Sequence, residues 1–81
     1  MQRRRKGRAD LRAILAENVR AWRKAAGVSQ DEFAVRCGLH RTYIGSVERQ
    51  ERNVTLTTLE LLSRGTGLTV PALLSKGGAK R

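Results

Sequence analysis

The apolar positions of this chain fall into five short groups with helical spacing. From Asp10 onward, Leu11, Ile14, Leu15, Val19, Trp22 and Ala26 recur at mostly three- and four-residue intervals, the rhythm of one buried stripe on an amphipathic helix. Arg12, Glu17, Arg20 and Lys24 fall largely off that stripe, and Gly27 closes the segment, as glycine commonly does after a last helical turn. Ser29-Gln30-Asp31-Glu32 opens a second helix as a capping box, in which the serine hydroxyl and the glutamate carboxylate each accept from an otherwise unpaired amide. Its two carboxylates also suit the positive end of the helix dipole. Phe33, Ala34 and Cys37 face inward on this short helix, which stops at Gly38. A third helix is predicted from about Arg41 to Glu48, with Ile44 and Val47 inward, followed by a polar loop over Arg49–Val54. Thr55 or Thr57 caps a fourth helix that buries Leu56, Leu59 and Leu62, with Leu61 a further candidate; Gly65 and Gly67 end it. Val70-Pro71-Ala72-Leu73-Leu74 reads as a last helical turn capped by Thr69, with proline at the first position, where its missing N–H costs nothing. No strand alternation, internal repeat or domain linker interrupts this order. The expected fold class is all-α, a compact five-helix domain over residues 9–75.

The second and third helices carry the pattern of a DNA-binding helix-turn-helix. Counted from Gln30 as position one, position five is Ala34, nine is Gly38, fifteen is Ile44 and eighteen is Val47. Two short helices cross steeply only where their contact is small and the turn between them tight. Ala34 allows the approach, Gly38 takes the positive φ of the bend, Leu39 plugs the core beneath the turn, and Ile44 and Val47 pin the third helix. An ordinary helical hairpin asks for none of these residues together.

Charge distribution then separates two kinds of attraction to polyanions. The 81 residues include 17 Lys or Arg and 7 Asp or Glu, a formal net charge of +10. Residues 1–8 hold five cations and residues 76–81 three, with no acid in either, so +2 remains on residues 9–75. Neither tail has apolar residues enough to fold, and both are expected to be a disordered basic arm and tail. Such charge draws any polyanion without selecting a sequence. One Cys and one His exclude a disulfide framework, a zinc site of several sulfurs and a His cluster. A chain this short disfavours an enzyme cleft, and its apolar runs are too short to span a bilayer. No metal, cofactor, small-molecule ligand or membrane contact is expected, and a cytoplasmic location is.

From Val19 to Leu74 the chain resembles the XRE family of phage Cro and repressor helix-turn-helix proteins. Within it, Arg41-Thr42-Tyr43-Ile44, Val47-Glu48-Arg49, Arg52-Asn53 and Leu59-Glu60-Leu61 resemble the controller proteins of restriction–modification systems. The resemblance implies a lambda-repressor-like five-helix fold. It also implies a partly buried salt bridge between Arg23 and Glu48, a phosphate contact for Gln30, and backbone or groove-edge contacts for Arg49, Arg52 and Asn53. The basic tails lie outside it. His40 departs from the Asp, Ser or Thr common at its position and is expected to be an exposed, imperfect cap.

In such a motif the third helix enters the major groove and its N-terminal residues reach base edges. The outward positions are expected to be Arg41, Thr42, Gly45 and Ser46. Arg41 has the fork for guanine O6 and N7, worth about 1–3 kcal/mol of discrimination. Thr42 offers a methyl and a hydroxyl, Ser46 a short-range hydroxyl, and Gly45 lets the helix sit close to the groove floor. Tyr43 either packs on the domain or donates to a phosphate. Gln30 sits where helix-terminal amides already favour an anion. Trp22, Phe33 and Cys37 are assigned to the core. Because operators for these motifs are usually paired half-sites, Leu68, Val70, Leu73 and Leu74 are expected to form a homodimer interface. The function expected is a homodimeric, sequence-specific regulator of double-stranded DNA, a restriction–modification controller by resemblance. The alternatives are a stand-alone repressor or antitoxin-type autoregulator, a non-specific nucleic-acid-coating protein, and a protein-interaction module.

Overall fold

The structure is a computed structural model that describes residues 10–79; the expected N-terminal arm over residues 1–8 lies outside them. Five helices follow in order: α1 Leu11–Ala26, α2 Gln30–Cys37, α3 Arg41–Glu48, α4 Leu56–Thr66 and α5 Val70–Leu73. There is no strand among the described residues. Each helix begins on a side chain that accepts a first-turn amide. Asp10 caps α1, Ser29 caps α2 with Glu32 completing the capping box, His40 caps α3, Thr55 caps α4 and Thr69 caps α5. Of the two threonines that could have capped α4, Thr55 does so because its Oγ1 accepts from Thr58 N at 3.1 Å. Pro71 stands at the second position of α5, one later than expected, because Val70 is already helical. Its missing N–H is among the unpaired ones there too.

The core draws on α1 to α5: Leu15, Val19, Phe33, Ala34, Cys37, Ile44, Val47, Leu59, Leu62 and Leu73. The turn between α2 and α3 is made by Gly38 at φ +72°, with Leu39 N–H donating to the Ala34 carbonyl at 2.9 Å. A Cβ on Gly38 would meet nothing within 4 Å, so glycine is required there by backbone conformation and not by space.

Several expectations are corrected. Leu11 and Ala26 lie exposed at the two ends of the α1 stripe, and Ala16 and Asn18 are buried instead. Asn18 is tolerated inside because it is fully used. Its Nδ2 donates to the carbonyls of Ala72, Leu73 and Ser75 at 2.8–3.2 Å, and its Oδ1 accepts from Ala79 N at 3.2 Å. One side chain thus satisfies the carboxyl end of α5 and ties residues 75–79 to α1, so the expected free tail from Lys76 continues as ordered turns up to Ala79. Gly65 does not end α4 but lies within it, facing α2. A Cβ there would overlap Cys37 Sγ, so glycine sets the α2–α4 approach. Leu56 at the start of α4 is exposed and Leu61 half-buried.

Candidate nucleic-acid interface

One buried carboxylate joins the first three helices behind the surface of interest. Glu48, the last residue of α3, accepts from Arg23 Nε at 2.7 Å, Arg23 Nη2 at 3.0 Å and Gln30 Nε2 at 3.1 Å. Arg20 Nη2 donates to the Glu48 carbonyl at 2.8 Å, and Arg23 Nη1 to the Val28 carbonyl at 3.2 Å. Burial pushes the Glu48 carboxyl up. Hydrogen bonds from Arg23 and Gln30, with the charges of Arg23 and Arg20, outweigh burial and hold it below its ordinary value. The same bond raises Arg23, against a smaller opposing effect of its own burial. A two-point guanidinium–carboxylate contact fixes orientation as well as distance. It therefore sets how α3 stands on α1, while Gln30, expected at a phosphate, has one amide donor engaged inside the domain.

The amino end of α3 is open. His40 Nδ1 accepts from Thr42 N at 3.1 Å, so the ring caps the helix. Arg41 and Thr42 follow it in solvent. Arg41 Nη1 lies 3.5 Å from both carboxylate oxygens of Asp31 on α2, with the two side chains 67% and 63% exposed. That is a loose ion pair of the kind worth about 0–1 kcal/mol.

The carboxyl half of α3 is enclosed, and two expected outward positions are not outward. Gly45 and Ser46 are buried, as are Ile44, Val47 and Glu48; α3 packs on both α1 and α2, and neighbouring side chains close over Gly45 and Ser46. A Cβ on Gly45 would stand 3.2 Å from Arg49 Nη1 and 3.6 Å from Gln30 Oε1, so Gly45 lies beneath those side chains. Ser46 is 6% exposed. Its hydroxyl donates to the Tyr43 carbonyl at 2.9 Å and accepts from Arg52 Nε at 3.0 Å. The Arg52 guanidinium also stacks over the half-buried Tyr43 ring, 4.6 Å from its centroid. Ser46 thus holds an arginine in place.

The chain reaches that arrangement through a residue the sequence did not single out. Gln50 has φ +65°, the positive value that no other non-glycine among the described residues adopts. Gln50 N–H donates to the Val47 carbonyl at 3.0 Å and Glu51 N–H to the Ser46 carbonyl at 2.9 Å, the two bonds of a Schellman close. A side chain in this region costs about 1 kcal/mol, and the close turns the loop back so that Arg52 meets Tyr43. Arg49 stays in solvent with its Nε on Glu51 at 3.1 Å. Asn53 is exposed beside Arg52. The Arg41–Asp31 pair spans ten residues and two helices, so nothing in local spacing announces it.

The remaining candidates are structural. Trp22 packs on Phe33 with ring centroids 5.6 Å apart, and Arg36 covers its ring at 5.6 Å. Burial pushes the Cys37 thiol up to about 11, partly offset by Arg36, so it is no thiolate at neutral pH. Leu73 is 0% exposed in the single chain and belongs to the core, not to an outer face. Leu68, Val70 and Leu74 are half-buried. No group of His, Cys, Asp or Glu among the described residues suits a metal ion, and no described helix is long and apolar enough to cross a membrane.

The helix-turn-helix family model matches residues 19–73. Control protein C.SmaI of Serratia marcescens is 55% identical over 71 residues, covering 88% of this chain and 84% of that one. The crystal structure of a hypothetical transcription factor from Neisseria is similar at a TM-score of 0.79 and 43% identity, over 83% of this chain and 77% of that one. The restriction-modification controller protein C.AhdI from Aeromonas hydrophila aligns at a TM-score of 0.72 and 34% identity, over 76% of this chain and 94% of that one.

Proposed function

The chain belongs to the helix-turn-helix family, and from that membership we propose that it is a sequence-specific DNA-binding transcription regulator of restriction–modification controller type, working as a homodimer on a two-half-site operator. One observation carries the reading: the open amino end of α3 presents Arg41 and Thr42, while Arg49 and Arg52 flank the same helix on its carboxyl side. In this reading Arg41 and Thr42 read base edges in the major groove. Gln30, Tyr43, Arg49, Arg52 and Asn53 contact the sugar–phosphate backbone, which fixes register without reading sequence. Ser46 serves through Arg52. No catalytic step or cofactor is involved, and the site of action is the cytoplasmic DNA.

The dimer face is the α4–α5 end, with Leu68, Val70 and Leu74. Leu74 there borders an apolar depression of about 210 Å³ shared with Leu11, Leu15 and Leu59. Val70→Glu should leave the helical circular-dichroism spectrum intact and halve the mass measured by sedimentation equilibrium; an unchanged mass places the interface elsewhere.

The deciding experiment is selection of bound duplexes from a random pool. The proposal expects one enriched sequence with two related half-sites about one helical turn apart, preferred at least about a thousandfold over random duplex. A coating protein would enrich nothing and bind all duplexes with one steep salt slope.

A further inference from the structure

The three arginines around α3 are restrained in two different ways. Arg52 is held by neutral groups, the Ser46 hydroxyl and the Tyr43 ring, and keeps its full charge. Arg41 and Arg49 are each held by a carboxylate, Asp31 and Glu51. All four of those side chains are more than half exposed, so neither pair is needed to cover a buried charge. Asp31 occupies only Nη1 of Arg41, and Glu51 only Nε of Arg49, and a guanidinium has five donors. Each arginine therefore keeps free donors while its carboxylate stays in place.

We infer that Asp31 is a specificity-determining residue that masks Arg41 against random DNA, whereas Glu51 restrains an arginine that contacts the backbone of any duplex. This rests on the DNA-regulator reading above. On a duplex without the right bases, Arg41 gains only by swinging to a phosphate, which breaks its pair and brings a carboxylate near the phosphates. On the operator, Arg41 engages a base edge with the donors Asp31 leaves free, and the pair survives. Asp31 thus lowers sequence-blind affinity and leaves operator affinity nearly untouched, which widens the ratio between them. A regulator with +10 net charge needs such a device more than a neutral one, because its tails attract every duplex.

The test measures full-length wild type, Asp31→Asn, Glu51→Gln, the double variant and Glu17→Gln on the selected operator and on a random duplex of equal length, across a salt series. Glu17→Gln removes the same charge from α1, where Glu17 borders a depression with Lys76, away from both arginines. Asp31→Asn is expected to bind random duplex about threefold more tightly, with log K against log salt steeper by about one phosphate contact, and Glu51→Gln to gain about as much on both duplexes. For Asp31→Asn, operator affinity and its slope should hardly move, so it loses about threefold of its preference and the double variant loses no more. Glu17→Gln should shift both duplexes alike. Equal gains on both duplexes by Asp31→Asn, or no gain on either, overturn the inference. If wild type itself shows no preference for any duplex, the regulator reading fails instead. Melting temperatures within a few degrees of wild type confirm that each variant is folded.

Discussion

Arg23–Glu48 and Arg41–Asp31 have the same chemistry and opposite uses. The first is a two-point contact at 2.7 and 3.0 Å, with side chains 16% and 6% exposed. The second touches through one nitrogen at 3.5 Å in solvent. Water decides the difference. A buried charge that loses its partner has no solvent to replace it, so the inner pair cannot open without loss of structure. An exposed pair trades one solvated partner for another at little cost. The inner pair therefore builds the platform on which α3 stands, and the outer pair leaves Arg41 free to change partners. Arg52 lies between them: exposed, yet fixed by Ser46 and Tyr43.

Mutation should separate these classes in order of size. Arg23→Ala leaves Glu48 buried with only Gln30 and the more distant Arg20 charge, and should destabilise the domain by about 3–5 kcal/mol in denaturant unfolding. A loss below about 1 kcal/mol would place this pair with the surface ones.

The inner pair should also be visible in acid. Glu48 is held below its ordinary value, so its contribution is present above the unfolded carboxyl range, near pH 4.3, and is lost as pH falls through the folded value. Wild type should lose melting temperature steeply below about pH 4. Glu48→Gln should be less stable at neutral pH and flatter across the acid range; parallel curves would show that the carboxylate does not carry the pair.

Arg52 gives an intermediate effect. A double-mutant cycle of Ser46→Ala and Arg52→Ala on operator binding should return a coupling of about 1.5 kcal/mol, the low end of the scale for a hydrogen bond to a charged group. Additive losses would mean that Ser46 does not position Arg52. The smallest effect belongs to the outer pair: Asp31→Asn should change unfolding free energy by less than about 1 kcal/mol, counting both the pair and the α2 dipole.

The helical order and the helix-turn-helix were legible because they rest on local chemistry. The Ser29–Glu32 capping box, the bend at Gly38 and the inward rhythm of Ile44 and Val47 each operate within a few residues. What local spacing could not give is how helices lie on one another. Gly65 reads as a helix end by propensity, yet it serves the approach of Cys37. Asn18 looks misplaced on an apolar stripe until the carboxyl end of α5 arrives above it. Ser46 reads as an outward hydroxyl because helical spacing leaves it off the Ile44–Val47 stripe. Arg52, brought back over α3 by the loop that follows it, bonds to that hydroxyl. A polar residue at a stripe position, as at Asn18, is the one such case with a trace in the sequence. It marks a place where a helix end or a turn has to come in.

The proposal is that selection of DNA resides in the arginines around α3, while the tails supply only sequence-blind attraction. Its direct test is the ratio of operator to random-duplex affinity, at fixed salt, for the full chain, for a chain lacking residues 1–8, and for Arg41→Ala. The arm deletion should weaken both affinities alike and leave the ratio near its wild-type value. Arg41→Ala should cut the ratio by about tenfold or more, matching the loss of one bidentate base contact. A ratio that collapses with the arm and survives Arg41→Ala would contradict the account.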